Sequence, residues 1–329
     1  MQAKVALADY DRTAALADGR VKPPSLVLDV EHLAPSEIFY RMLKEEAFDI
    51  SEMSLSSFLI ARSQRRRFTA IPVFPYRHYF HTSIFVRDEI EEPSQLAGKR
   101  FGLTEYQVTA ALWTRGVLEQ DFGLDLREVT WYVERSPKLS HGGETGFQPP
   151  EGIRVEQVPE GETLGSMLAS GGLDAALPSP YPGMASRLNR TEEGDLVRMP
   201  GISRLFRDPI AEARRYFETN GFLHFNHVVI VKDELLEKFP GVAAELLKAF
   251  TEAKQLALED RERLRRSILL FAHLHLEVQE EIYGADPFPY GYAANEAALQ
   301  RLAQFSQGQG LIEQVPDLPG LFAPEVRQT

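Results

Sequence analysis

The 329-residue chain contains no cysteine, which excludes a disulfide framework, a thiolate metal cluster and a cysteine nucleophile. Basic residues are the second shortage: 36 Lys and Arg stand against 48 Asp and Glu, a formal net charge of −12. Nucleic acid is disfavoured as a partner, because phosphate neutralisation needs clustered cations. The one basic run, Arg65-Arg66-Arg67, reads as a solvated helix end. No window approaches the roughly 20 apolar residues of a transmembrane helix, so no membrane association is expected. Phosphate loops, nucleophile elbows, dinucleotide fingerprints and HExxH zinc motifs are absent, as are internal repeats. The run Met1 to Ala8 is too short for a signal-peptide core and reads as a first strand, so the expected location is cytoplasmic.

A hydrophobic content of 43% supplies a full core, and the length favours two lobes. Short apolar runs alternate with helical patterns, the mark of an α/β chain with parallel strands and helical crossovers. Strands are expected near 4–8, 50–55, 70–74 and 82–86, then from a turn feeding a strand within 96–103, and again near 129–133, 153–158, 173–178 and 222–231. Helices are expected near 35–47, 57–63, 109–121 and 162–169, then from 242 to about 283 and over 295–307. The proline-bearing tail 316–324 should wrap the surface in extended form. The expected organisation is a discontinuous lobe of residues 1–90 plus 186–329 and a second lobe of residues 91–185. Two mixed sheets flanked by helices would then face a central cleft, where ligands sit beyond the strands' carboxyl ends.

Several polar clusters fall at such ends. Phe48 to Ser57 reads as a buried strand entering a serine-rich helix start, which aims N–H groups and the hydroxyls of Ser54 and Ser56 at an anion. The plainer account is a single N-cap. Asp9 and Arg12 follow the first strand, and the planar fork of Arg12 suits a carboxylate; the competing account is a turn in which Arg12 pairs locally. Arg77, His78 and His81 share a crossover. A metal pair would need helical geometry there, so a single histidine acting as general acid is the better reading. Thr104, Glu105, Tyr106 and Gln107 join a strand to a helix across the cleft, either as ligand groups or as a capping loop. Ser179 and Tyr181 sit in a stiff Ser-Pro-Tyr-Pro turn that serves equally well as a hinge. His227 precedes an apolar run and is either an inward-facing site histidine or a satisfied core residue.

The segments DYDRT (9–13), FDISEMSLSS (48–57), IPVFPYRHYFHTSIFV (71–86), LAGKRFGLTEYQVTAALWTRG (96–116), SPYP (179–182) and PFPYGYAANEAAL (287–299) together resemble 4,5-dihydroxyphthalate decarboxylases and their relatives. The resemblance runs nearly end to end. It implies a two-lobed type II periplasmic-binding-protein-like fold and decarboxylation of a dihydroxylated aromatic dicarboxylic acid without an electron-sink cofactor. Each carboxylate of that substrate lies para to a ring hydroxyl, so the ring itself stores the charge. Such a site needs cations for the spectator carboxylate, a base near the hydroxyls, a general acid near the ring and an apolar wall at the leaving carboxylate. The corresponding expectations are Arg12 and Arg77 as clamps, His81 or His227 as the acid, Glu105 as hydroxyl partner or base, and Ser54, Ser56 and Thr104 as cradles. His78, Tyr106, Gln107, Asp9, Ser179 and Tyr181 complete the expected lining. Two other classes stay open: a non-catalytic receptor for an aromatic or small carboxylic acid, and a precursor-synthesis protein using an active-site histidine and iron. No resident cofactor or metal is expected on the main reading. A homo-oligomer is expected from apolar helices near the carboxyl end.

Overall fold

The computed structural model of the chain describes residues 1–136, 138–140, 145–179 and 188–329. Tyr181, with Pro180 and Pro182, lies outside the described residues. Two sheets organise the rest. The first has the order β2-β1-β3-β11-β4, built from β1 (Gln2–Leu7), β2 (Val27–His32), β3 (Ile50–Ser54), β4 (Phe68–Ile71) and β11 (His227–Lys232). The second has the order β10-β5-β9-β6-β7-β8, built from β5 (Phe85–Arg87), β6 (Arg100–Leu103), β7 (Thr130–Val133), β8 (Arg154–Gln157), β9 (Ala175–Leu177) and β10 (Ile202–Arg204). Both are mixed: β11 runs antiparallel between β3 and β4, and β5 runs antiparallel to β9 and β10.

The described helices are α1 (Asp11–Ala17), α2 (Pro35–Glu45), α3 (Leu55–Ser63), α4 (Thr109–Phe122), α5 (Leu164–Ser170), α6 (Glu193–Leu196), α7 (Pro209–Asn220), α8 (Asp233–Lys238), α9 (Val242–Asp260), α10 (Ala272–Tyr283) and α11 (Glu296–Gly308). Val5, Ile50, Val229 and Val231 of the first sheet share one core with Leu246 and Phe250 of α9 and Leu16 of α1. Met53, Val228 and Ile230 face the other way, into a core with Phe39 of α2, Phe58 of α3 and Trp113 of α4. That alternation follows the two-residue period of a strand buried on both faces. Helix α4 is buried from Thr109 through Leu118, an all-round burial that fits a helix lying inside the molecule. Its Gly116 lets α11 approach: a Cβ there would meet the Phe305 ring at 2.2 Å.

The chain crosses between sheets twice, through residues 72–84 and 205–226. The crossings lie side by side and antiparallel: Asn226 N–H donates to Tyr76 O at 2.9 Å and His78 N–H to His224 O at 3.2 Å. The strand expected at 82–86 in the first lobe is instead a 3-10 turn (Phe80–Ser83) followed by β5, which belongs to the second sheet. With β10 in that sheet as well, the sheet boundaries fall before residue 85 and after residue 204, not at 90 and 186. The reason is that the entering and leaving segments pair with each other, a long-range contact that local periodicity does not register. The segment after β1, for which a local turn was the competing account, is the start of α1, and β2 was not anticipated. The tail departs from the extended surface strap too. It forms 3-10 turns at Pro319–Leu321 and Pro324–Val326, and Phe322 docks on Ala70 of β4 because its ring finds a buried place there. None of the described helices is long and apolar enough to cross a membrane.

Candidate active site

The carboxyl ends of β1, β3 and β4 and the amino end of antiparallel β11 converge on one edge of the first sheet. From that edge come Tyr10, Glu52, Ser54, Tyr76, Asn226 and His227. Register explains part of this gathering. Ser54 pairs with His227 and Glu52 with Val229, so Glu52, Ser54 and His227 project to one face of the sheet. Glu52 and His227 are both fully buried and bonded to each other through Oε1 and Nδ1. The Glu52 carboxylate also accepts from Ala8 N–H at 3.0 Å and the Tyr10 hydroxyl at 2.8 Å. Burial alone would push its pKa up, but the neighbouring His227 and these donors hold it below the ordinary carboxylate range. Phe39 meets the His227 ring edge-on at 4.8 Å and Tyr76 stacks on it at 5.4 Å, so the imidazole is fixed in orientation. The Asn226 amide nitrogen lies 2.9 Å from the remaining ring atom, Nε2.

The second lobe contributes the strand ends of β6, β7 and β9 and the amino end of α4. Arg135, two residues past β7, is buried and donates to Glu105, to Asn189 Oδ1 and, at 2.9 Å, to Leu188 O. Glu105 also accepts from Gln107 Nε2 and, at 2.6 Å, from Ser140 Oγ. Asn189 in turn donates to Ser179 Oγ at 3.1 Å.

The lobes touch through hydroxyls. Ser54 Oγ lies 2.9 Å from Thr109 Oγ1, Ser56 N–H donates to the same oxygen at 3.0 Å, and Ser56 Oγ donates to Gln107 O at 2.6 Å. The amino ends of α3 and α4 therefore meet, and their orphan N–H groups share one region of positive potential. Between the lobes lies a cavity of about 30 Å³ lined by Ser54, Thr104, Arg135, Ser179, Asn189 and Asn226, with Phe39, Val108 and Ala110 as its apolar wall. An aromatic ring needs on the order of 150 Å³. The lobes are closed on each other, and admission of such a guest requires them to part.

The expected residues separate accordingly. Ser54, Thr104 and Ser179 line the cavity; Ser56, Gln107, Glu105 and His227 border it through the contacts above. Arg12 does not line it. Its guanidinium donates to Pro75 O, pairs with Asp11 and lies over the rings of Tyr10 (4.0 Å) and Phe288 (4.6 Å). Asp9 is exposed. Arg77 sits between the two crossings, donating to Leu223 O, Pro289 O and Asn295 Oδ1, and burial pulls its pKa down to about 10. These acceptors hold it away from the cavity, which it does not line, and this corrects the clamp expected of it. His81 is buried against Glu212 at 2.9 Å, and Arg215 ties that carboxylate to Asp121. Burial keeps the His81 imidazole below its ordinary value, and it does not line the cavity. His78 bonds Ser83 Oγ at 3.0 Å and is pushed down to about 4 by burial. The two histidines have separate partners, and the described residues gather no group able to hold a metal ion. Tyr106 stacks in the core between Phe147 and the Arg115 guanidinium, away from the cavity. A strand-to-helix position only one residue from Glu105 and Gln107 thus turned inward.

Glu52, Thr109, Arg135, Asn189 and Asn226 were not anticipated. A signal existed for two of them. A carboxylate inside a buried strand, as in Ile50-Ser51-Glu52-Met53, is rare unless paired, and Arg135 follows a strand end as Arg12 does.

No protein-family model matches the chain. A 4,5-dihydroxyphthalate decarboxylase of Comamonas testosteroni is 29% identical over 334 aligned residues, covering 98% of this chain and 97% of that protein. A 4,5-dihydroxyphthalate decarboxylase of Pseudomonas putida is 35% identical over 216 residues, 65% of this chain and 80% of the relative. The chain belongs to the 4,5-dihydroxyphthalate decarboxylase family. Among solved structures, the periplasmic aliphatic sulphonate binding protein SsuA of Escherichia coli superposes with a TM-score of 0.58 at 13% identity, over 99% of this chain and 98% of that one. The desulfurization enzyme DSZB in complex with biphenyl-2-sulfinic acid gives 0.53 at 15% identity, over 98% and 96%. At these identities the likeness concerns the fold: the family uses the type II periplasmic-binding-protein architecture.

Proposed function

We propose that the chain decarboxylates a dihydroxylated aromatic dicarboxylic acid, 4,5-dihydroxyphthalate or a close analogue, to protocatechuate and carbon dioxide. The observation that carries this reading, beside the named relatives, is one interlobe cavity with a buried guanidinium on one wall and a buried carboxylate–imidazole pair behind the other. Arg135 would take the spectator carboxylate in its fork, sharing it with Glu105, whose part is to position the guanidinium rather than to act as a base. The hydroxyls of Ser54, Ser56, Thr104 and Thr109, with the amino ends of α3 and α4, would hold the ring oxygens. The phenolic proton passes to His227 Nε2, which raises electron density at the carboxylated ring carbon. The imidazolium so formed gives that proton to the carbon, and the C–C bond to the leaving carboxylate breaks with its electron pair returning to the ring as phenolate. Carbon dioxide departs past Phe39, Val108 and Ala110, an apolar wall that solvates the anion poorly, and the phenolate takes a proton from water. Glu52, held ionised, orients the imidazole through Nδ1 and stabilises its cation. A half-turn of the Asn226 amide presents its oxygen, not its nitrogen, to a protonated Nε2. The location proposed with this reading is cytoplasmic.

The sulphonate-binding architecture favours one second reading, a receptor that closes on an aromatic or small carboxylic acid without transforming it. Incubating the purified chain with 4,5-dihydroxyphthalate and following protocatechuate by chromatography separates the two. Product formation is expected; saturable binding with no product would overturn the enzyme reading and leave the receptor.

A further inference from the structure

Arg77 does not line the interlobe cavity, and its surroundings leave it a cation without a counter-charge. Among the described residues it forms no ion pair: its donors go to Leu223 O, Pro289 O and Asn295 Oδ1, all neutral, and its buried Nε has no partner. Three of a guanidinium's five N–H groups are thereby used and two are left over. Asp286, a carboxylate whose charge reaches it, stands beyond ion-pair range and is held by Lys254. An arginine that is 7% exposed is seldom left so, because an unpaired charge is expensive to desolvate. Arg77 also lines a second cavity, of about 360 Å³, walled by both crossings and by α10. Tyr79 and Tyr283, with ring centroids 6.4 Å apart, stand on it beside Phe288 and Leu223. No Asp or Glu is among the residues that line it, although the chain carries 48 of them.

We propose that this cavity is a second binding site, separate from the cleft, for a single-ring aromatic carboxylate whose anionic end meets Arg77 and whose ring lies among Tyr79, Tyr283 and Phe288. Charge selects the anion: the lining offers a cation with donors to spare and no carboxylate to repel the guest. Size and lining select the ring. An aromatic ring needs on the order of 150 Å³, which this cavity exceeds, and aromatic walls bury a flat guest well. A bare inorganic anion would leave those walls unmet, and a neutral arene would leave Arg77 unpaired. The two cavities also differ in access. With the lobes closed, the interlobe cavity of about 30 Å³ admits no ring, whereas the cavity at the crossings has room for one in the same arrangement.

The probe is labelled benzoate, measured by equilibrium dialysis on the full chain. One equivalent bound by the wild type is expected to disappear in Val278→Trp, which fills the cavity from a half-buried position on α10 and should leave the melting profile unchanged. Gln279→Glu and Gln279→Lys, on the same wall, read the charge without filling the space. The first should weaken that equivalent about fivefold and the second strengthen it by a similar factor. Benzylamine, the same ring with a cation, should not displace benzoate, and inorganic phosphate, a charge without a ring, should displace it only weakly. No uptake by the wild type, or equal affinities in the two Gln279 variants, would overturn the proposal. Uptake by Val278→Trp equal to that of the wild type would place the probe in the cleft or elsewhere and overturn it too. Displacement by benzylamine or phosphate as strong as by unlabelled benzoate would overturn the ligand class and with it the proposal.

Discussion

The two walls of the cleft solve the same problem with different chemistry. Each buries a carboxylate against a nitrogen base at a strand's end, Glu52 with His227 in the first lobe and Glu105 with Arg135 in the second. In the first, the base is an imidazole, whose two ring nitrogens can each carry or accept a proton. In the second it is a guanidinium, a planar donor with no acceptor atom. One wall is therefore equipped to move a proton and the other to hold a fixed charge. The hydroxyls of Ser54, Ser56 and Thr109 join the two only when the lobes close.

The sharpest way to break this comparison is to remove the titratable base. His227→Gln keeps a donor of similar reach toward Glu52, and turnover is expected to fall by about 10²–10⁴-fold, with a much smaller change in urea midpoint. A variant with full kcat would return His227 to a purely structural role. Next in size is the fixed charge. Arg135→Leu strands Glu105 in a buried place, and unfolding free energy should drop by about 3–5 kcal/mol, read from urea titration. A drop below 1 kcal/mol would mean that solvent reaches Glu105.

A third experiment contrasts the cleft with the hinge side, where buried histidines serve packing. His224 is fully buried, stacked on Trp113 at 4.0 Å, and neither ring nitrogen has a hydrogen-bond partner. Burial holds its pKa well below the ordinary imidazole value. The unfolded chain therefore takes up the proton first. The stability owed to the neutral ring is intact above about pH 6.5 and is lost as pH falls toward the folded value. His224→Phe should flatten that acid slope and raise stability at neutral pH by about 1 kcal/mol, measured by denaturant titration from pH 7 to pH 4. His78 and His81, also held low by burial, leave part of the slope in place. An unchanged slope would locate the acid sensitivity elsewhere. The smallest effect belongs to the seam between the walls. Thr109→Val removes the oxygen that accepts from Ser56 N–H and pairs with Ser54, weakening closure by about 0.5–1.5 kcal/mol. KM should rise a few-fold while kcat holds; a fall in kcat alone would place that hydroxyl in the chemistry instead.

How much of this stood in the sequence varies by residue. Ser54, Thr104 and Ser179 line the cavity, and their place near it was legible because each sits within a few residues of a recognisable strand end, and strand ends are local facts. Arg77 and His81 occupy an equally suggestive stretch, yet their side chains point to Leu223, Pro289, Asn295 and Glu212, partners more than 130 positions away in the chain. Arg135 was passed over because nothing near it in the sequence shows that Glu105 and Asn189 will close around it. The antiparallel pairing of the two crossings was hidden for the same reason: it depends on contacts that periodicity does not encode.

The sequence alone determined the alternation of strands and helices, the closure of the chain into two lobes, and the family to which the segments from DYDRT to PFPYGYAANEAAL point. Those follow from hydrophobic period and local turn chemistry. Tertiary structure decided which charges face the cleft, since a side chain's role depends on who satisfies it. Arg77 and Arg135 each donate to three acceptors, but only Arg135 does so at the wall of the interlobe cavity, where a guest of the cleft would meet it.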